Sequence, residues 1–397
     1  MNGHSLAAPA LAPPPVSTSQ QSWQAAWRAY QEASSAVFLR PGRGGGALGL
    51  GVRELRWLKR FEDLEAACSE AMLAAPGQRA AFSLAFQPDA CQDLWSGLPP
   101  GVVLVPQRWL PAPAGWPEPD GTLPSSTRLL HRRSVPGRRS WSEQVRRTTE
   151  AISAGRIEKA VLARRLDLSF DRPVDVPGTV ARLAQQNPGA AVWSWRLAGG
   201  DFVGASPELL VSYRQGRLST ACLAGTRLDG AAVPWRDKER REQAVVEDYV
   251  DRAFRALGLV PRHTEIGELR QGSFTHLVAT VEAAAPDPSA FYRLLKGLHP
   301  TPALAGEPQD QALAWIRREE PFGRGYYGGV VGWAEPDGEA EAVVAIRSAW
   351  VVGSRAHLFA GAGLVLGSEP AAEWRETGAK LNVVQRALGG GDGDGGR

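Results

Sequence analysis

The stretch GRIEKAVLARRLDLSF, residues 155–170, places Lys159 immediately before the apolar run Ala160-Val161-Leu162-Ala163. Of the 45 basic residues in the chain only five are lysines, Lys59, Lys159, Lys238, Lys296 and Lys380, and the rest are arginines. The distinction is chemical. Arginine stays protonated, whereas a partly buried lysine can lose its proton and act as a base. Alternation along a strand puts Lys159 on the same face as Val161 and Ala163, which makes partial burial reasonable. A solvated strand lysine is the plainer alternative.

Carboxylates recur on two helical patterns. In 236–257 the apolar stripe Val246, Tyr249, Val250, Ala253, Phe254, Leu257 extends backward through Glu242 and Glu239. In 370–388, Glu373, Glu376 and Lys380 share a face that continues to Val383, Val384 and Ala387. Each set also reads as a solvated helix end with ordinary i,i+4 ion pairs, such as Glu376 with Lys380. Buried together, like charges repel strongly, and a divalent cation would relieve them. An all-oxygen donor set points to a hard ion such as Mg²⁺. Glu208, after the Ser206-Pro207 turn, is either an exposed turn carboxylate or a general acid with a raised pKa. Arg347, in AVVAIRSAW, alternates with apolar residues as in a strand. There it either faces solvent at an edge or clamps a carboxylate. His276 and His299 lack metal-ligand spacing. GRGYYGGVVG and GAGLVLG do not sit between a strand and a helix N-terminus, so they are poor phosphate loops and read better as close backbone approach.

The elements that must position these residues are mixed. RAAFSLAFQ, GVVLVPQRWL, residues 157–168, AVWSWRLAG, DFVGAS, LLVSYRQ, GRLSTACLAGT, HLVATVEAAA and HLFAGAGLVLG read as strands. YYGGVVGWAEPDGEAEAVVAIRSAWVV reads as two strands joined across Pro-Asp-Gly. Ser140-Trp-Ser-Glu143 has the form of a capping box, opening a helix that ends near Gly155. The long helix over 236–257 stops at Gly258. Antiparallel-looking strand groups with helices between them argue α+β. The chain has 397 residues with a net charge of +3, and basic and acidic residues are interspersed, which argues against a nucleic-acid or membrane partner. No apolar run of 18 residues is present. Three dispersed cysteines, Cys68, Cys91 and Cys222, suggest neither disulfides nor a zinc site, and fit a cytoplasmic protein. Residues 1–22 and 389–397 read as disordered tails, and 111–126 as a linker or long surface loop.

IEKAVLARR, SPELL, LAGTR, KERREQAVV, FTHL, LHPTPALAG, RGYYGGVVGW, AIRSAW, AGAG and EWRETGAKL occur in that order between about 155 and 388. In this the chain resembles the chorismate-utilising enzymes; the region before 130 matches only loosely. The resemblance implies a single chorismate-binding domain over 23–388, with its motifs concentrated in 140–388. It implies two stacked antiparallel sheets with helices outside, and chorismate bound with Mg²⁺ between them. It places Glu239, Glu242, Glu373 and Glu376 around the magnesium. Arg347, Tyr327 and the backbone at Gly361 fall on the enolpyruvyl carboxylate, and Lys380 near the ring carboxylate. Gly225, Thr226 and His299 line the pocket. Amine-adding members look to carry Gln at the position of Lys159, and aminodeoxychorismate synthases a lysine at that of Ala224; this chain shows neither mark and no fused glutamine amidotransferase. The expectation is therefore water addition to chorismate by a monomeric isochorismate synthase, with Lys159 as base and Glu208 as acid. Salicylate synthase, which goes on to eliminate pyruvate, is the alternative, and a non-catalytic chorismate-binding homologue is the reading from another class. Gln243 stands where the family often has His, a departure that leaves Glu242 in place.

Overall fold

Runs of β-branched, aromatic and small apolar residues bounded by Gly, Pro and Asp turns become strands. The computed structural model describes residues 34–40, 45–111, 127–197, 199–228, 235, 237–271 and 274–389. The tail expected over 1–22, the loop expected up to 126 from residue 112 on, and the chain after 389 lie outside the described residues.

Two ten-stranded sheets result. The first runs β16 (Gly306–Glu307), β8 (Lys159–Phe170), β20 (Arg355–Leu364), β19 (Ser348–Val352), β10 (Gly200–Ser206), β9 (Ala191–Leu197), β1 (Ser34–Arg40), β2 (Gly45–Leu50), β6 (Arg108–Pro111), with β7 (Leu129–Val135) also on β8. The second runs β13 (Arg262–His263), β15 (Phe274–Ala284), β12 (Arg217–Leu228), β11 (Leu209–Arg214), β18 (Ala340–Val344), β17 (Val330–Ala334), β4 (Ala80–Leu84), β5 (Gly101–Val105), β3 (Glu54–Leu58), with β14 (Gly267–Gln271) on β15. Pairing is antiparallel throughout the strands that matter for the site.

The inner faces meet in an aromatic layer. Trp95 lies 5.1 Å from Trp350 and 5.6 Å from Phe202, ring centre to ring centre, and Phe359 and Tyr326 pack beside it. Helices cover the outer faces. Val176–Gln186 and Pro370–Ala387 pack on the first sheet through Val180, Leu183, Leu381 and Val384. Leu64–Ala74, Asp237–Ala256 and Ala290–Leu298 cover the second, and Arg138–Ser153 and Gln309–Glu319 close over β8. This is the α+β arrangement expected, with stacked antiparallel sheets inside and helices outside. The stripe of the long helix is also as expected: Val246, Val250 and Phe254 are buried. It ends where Gly258 takes φ +73°, with Gly258 N–H donating to Arg255 O and Leu259 N–H to Phe254 O.

Two expectations fail. Helix Arg138–Ser153 is capped by Gly137, not by Ser140, which lies inside its first turn. Pro136-Gly137 breaks the preceding strand earlier than the capping pattern suggested. The segment after Tyr327 gives three strands rather than two, because Arg347 is not in a strand. Its φ of +52° turns the chain between β18 and β19. A left-handed arginine costs about 1–2 kcal/mol, and alternation with apolar neighbours cannot reveal it.

That turn matters because it changes sheets. The chain crosses from the first sheet to the second at Pro207-Glu208, between β10 and β11, and, after an earlier visit to the first sheet at β16, crosses back again at Ala345–Arg347, between β18 and β19. The two crossings are bonded to each other. Ala205 N–H donates to Arg347 O (3.1 Å) and Val344 N–H to Glu208 O (3.1 Å).

Candidate active site

Strand parity orients Lys159. Ala160 and Leu162 pack outward under the helices, while Ala163 joins the inter-sheet layer. Lys159 shares the parity of Ala163 and is 9 % exposed, so its ammonium lies on the inner side. The neighbouring strand β20 follows the same rule. Phe359 fills the inter-sheet space, and the next two same-face positions are Gly361 and Gly363, which leave it open. A Cβ on Gly363 would lie 3.1 Å from Lys159 Cε and 3.6 Å from Nζ; one on Gly361 would lie 3.1 Å from Tyr327 Oη. The space left by two missing side chains is thus occupied by the lysine and the tyrosine, and Tyr327 stacks on Phe359 at 5.3 Å. Gly363→Ala is expected to fold normally, because the flexible end of Lys159 can move aside. Its kcat should fall about tenfold through that displacement, as steady-state kinetics beside a thermal melt would show.

Glu208 and Arg347 come from the two sheet crossings. Glu208 is 8 % exposed. Its backbone N–H donates to Ser206 Oγ at 3.1 Å, which fixes the turn. Burial pushes its carboxyl up to about 7, and the positive charges of Lys380, Lys159 and Arg347 only partly oppose that rise. Arg347, also buried, is lowered to about 10 by burial, against the opposing influence of Tyr327, Glu376 and Glu208. Burial likewise raises Tyr327 to about 12. These mutual influences place Lys159, Glu208, Tyr327, Arg347, Glu376 and Lys380 in one electrostatic cluster. Burial thus pushes a carboxyl up and a guanidinium down within one cluster, each toward its neutral form.

Helix Pro370–Ala387 brings its polar face to the same place. Lys380 Nζ donates to Gly361 O at 2.9 Å and to Glu376 Oε1 at 2.6 Å, and Glu373, one turn earlier, is buried. The i,i+4 pair expected of these residues is present, yet it faces the sheet rather than open solvent. Two carboxylates on one helical face, one of them buried, suit a hard cation that keeps several waters. Among the described residues, no three His, Cys, Asp or Glu side chains group closely enough to hold a metal by themselves. The side chains of Glu239 and Glu242 lie outside the described residues. Their backbone belongs to helix Asp237–Ala256, anchored next to them by Gln243 Nε2, which donates to Cys222 O of β12 at 3.1 Å.

Gly225 and Thr226 lie in β12, where the register with β15 shifts between the pairs Ala224↔Leu277 and Thr226↔His276; the side chain of Thr226 is likewise outside the described residues. Of the expected site residues, His299 is not brought to the cluster. Its Nε2 faces the carbonyls of Phe86 (3.1 Å) and Ala85 (3.3 Å), so that nitrogen carries the proton. Burial lowers the imidazole to about 4. It lines a separate cavity of about 390 Å³ with Phe61, Phe86 and Tyr292. His299 follows a helix end and packs inward for its own hydrogen bonds, which the motif LHPTPALAG alone does not disclose. One residue without an expected role joins the site, Gly363, legible as the second glycine of AGAG; buried His276 of FTHL pairs with Thr226 across the strands.

Comparison with known proteins gives the family and the fold. The family model described as chorismate binding enzyme matches residues 118–389. The isochorismate synthase MenF of Bacillus subtilis (strain 168) is 34% identical over 266 residues, 63% of this chain and 55% of its own length. The salicylate biosynthesis isochorismate synthase of Pseudomonas aeruginosa is 36% identical over 270 residues, 64% of this chain and 56% of its own. The chain thus spans little more than half the length of these two relatives. The structure of Bacillus anthracis DhbC, assigned as a 2,3-dihydroxybenzoate-specific isochorismate synthase, superposes with a TM-score of 0.81 at 26% identity, covering 92% of this chain and 99% of that one. With a family match over most of its length, and with the motif residues Lys159, Glu208, Arg347 and Lys380 in one electrostatic cluster, the chain belongs to the chorismate binding enzyme family.

Proposed function

We propose that the protein is an isochorismate synthase, an isomerase that adds water at C2 of chorismate and expels the C4 hydroxyl, and that residues 23–388 form one chorismate-binding domain. The observation that carries this is the buried pair Lys159 and Glu208. A lysine stands at the inner edge of a glycine-floored gap, and a carboxyl held near 7 belongs to the same cluster.

The step balances with those two groups. Lys159, as the free amine, takes a proton from the water whose oxygen bonds to C2. The ring double bonds shift, the C4–O bond breaks, and protonated Glu208 gives its proton to the departing oxygen. One water enters and one leaves. Arg347 and Tyr327, with the Gly361 backbone between strand and helix, are suited to grip the enolpyruvyl carboxylate. Lys380 lies toward the ring carboxylate. Glu242 and Glu376, with Glu239 and Glu373, would hold Mg²⁺, which when bound supplies positive charge to offset the ring carboxylate and the charge developing in the transition state. Removing Arg347 (Arg347→Ala) is expected to raise KM for chorismate by roughly 10- to 100-fold, the worth of a charge-assisted contact, with a smaller change in kcat; initial-rate kinetics would check the split.

The deciding experiment incubates the protein with chorismate and Mg²⁺, without ammonia or glutamine, and separates the products by chromatography. Isochorismate alone is the expected result. Salicylate with pyruvate would move the activity to a salicylate synthase. Absence of turnover until an amine donor is added would sink the water-adding reading.

A further inference from the structure

The strand that carries Lys159 on its inner face carries Arg164 on its outer face, only 3 % exposed. The guanidinium reaches the middle of helix Pro370–Ala387. Its Nε donates to Thr377 Oγ1 at 2.7 Å and Nη2 to Trp374 O at 3.2 Å, and Cζ lies 3.8 Å from the Trp374 ring centre. Nη1 reaches Ser134 Oγ of β7 at 3.4 Å. Gly378 leaves room for this approach, since a Cβ there would lie 3.4 Å from Nη2.

None of these bonded partners is a carboxylate. A buried cation on neutral partners is costly, and an apolar side chain of similar volume commonly serves stability as well or better. Burial accordingly lowers Arg164 to about 10, with the charge of Arg132 adding to the effect. Stability alone is therefore a poor account of the residue. Its target offers a better one. Thr377 lies one residue after Glu376, four after Glu373 and three before Lys380, and its hydroxyl also meets Glu373 O at 2.8 Å. A helix turns about 100° per residue, so whatever fixes Thr377 fixes the direction of all three charged side chains. A further tie between helix and sheet, Lys380 to Gly361 O, is made by a residue of the site itself. Arg164 grips the helix at Thr377, close beside the face that carries these charged residues.

We propose that Arg164 is a positioning residue: it locks helix Pro370–Ala387 onto β8, and so sets the rotation at which Glu373, Glu376 and Lys380 are presented beside the strand of Lys159. The proposal rests on the roles given to those four residues under the proposed function.

The test uses Arg164→Met, Arg164→Lys and Thr377→Val in the full chain. Amide hydrogen exchange over residues 372–381 reads the lock without reference to chemistry. Calorimetric titration with Mg²⁺ in the presence of chorismate, and the Mg²⁺ dependence of turnover, read its consequence. Arg164→Met and Thr377→Val should each speed exchange in that segment tenfold or more and raise half-saturating Mg²⁺ by about tenfold, the usual effect of losing a residue that orients metal ligands. Turnover at saturating Mg²⁺ should stay within about threefold of the parent. Arg164→Lys should recover part of the loss, and Arg164→Met combined with Thr377→Val should be no worse than Arg164→Met alone. A lower melting temperature with unchanged exchange in the segment overturns the lock. Faster exchange with unchanged Mg²⁺ demand overturns it as well, because the helix would then loosen without misdirecting its carboxylates. If the parent protein neither binds Mg²⁺ nor turns over chorismate, the proposed function fails, and the exchange measurement alone decides the lock.

Discussion

Replacing Lys159 with alanine is expected to lower kcat for water addition by 10²- to 10⁴-fold, the range for loss of a positioned general base, while KM for chorismate changes by less than about threefold. The split follows from the geometry. Lys159 lies against Gly363 on the inner side of β8, whereas the cations read as holding the substrate carboxylates are Arg347 and Lys380. Lys159→Arg separates a base from a mere cation. Arginine keeps the charge but does not give up its proton, so it should be as inactive as alanine. Near-normal kcat in the arginine variant would remove Lys159 from the mechanism.

Glu208→Gln is expected to abolish turnover and to stabilise the protein. The folded carboxyl is raised from 4.5 to about 7, so ionising it in place costs roughly 3 kcal/mol at 1.36 kcal/mol per tenfold. The direction follows from the raised pKa. Below about pH 4.5 the acid is protonated in folded and unfolded chains, and nothing is lost. As pH rises toward 7 the unfolded chain ionises first, and the parent loses stability. Above about 7 the full cost is present. Glutamine, which cannot ionise, should therefore melt with the parent near pH 4 and above it at pH 8. Thermal melts across that interval check this, and a glutamine variant no more stable at pH 8 would contradict the buried-acid description. The same titration predicts that kcat/KM of the parent declines as pH rises through about 7, as the acid loses the proton it must donate. A site that sacrifices stability for a proton at neutral pH is a common bargain in enzymes.

The parts of this arrangement that obey a period were legible in the chain. Alternation in KAVLA sends Lys159 inward, and the 3.6-residue stripe of 237–256 buries Val246, Val250 and Phe254. The motif order also anticipated the two sheets. The parts that depend on long-range geometry were not legible. Arg347 reads as one more strand residue, but the sheet crossing twists it to a positive φ. His299 reads as a pocket residue, but two carbonyls of a distant segment hold it elsewhere. Alternation separates Arg164 from Arg165, but nothing along the sequence discloses their partners. Parity sends one behind the strand to Thr377 and the other to Asp167 and Asp93.

The pairing of β8 with β20 joins residues roughly two hundred apart in the chain, Ala163 with Gly361. The gap that admits Lys159 exists only after this late strand has found the early one, and closing so long a loop is slow. Catalytic competence should thus be among the last properties to return on refolding. A nascent chain would remain inert until its final helix had emerged and docked, however much of the β-structure had already formed.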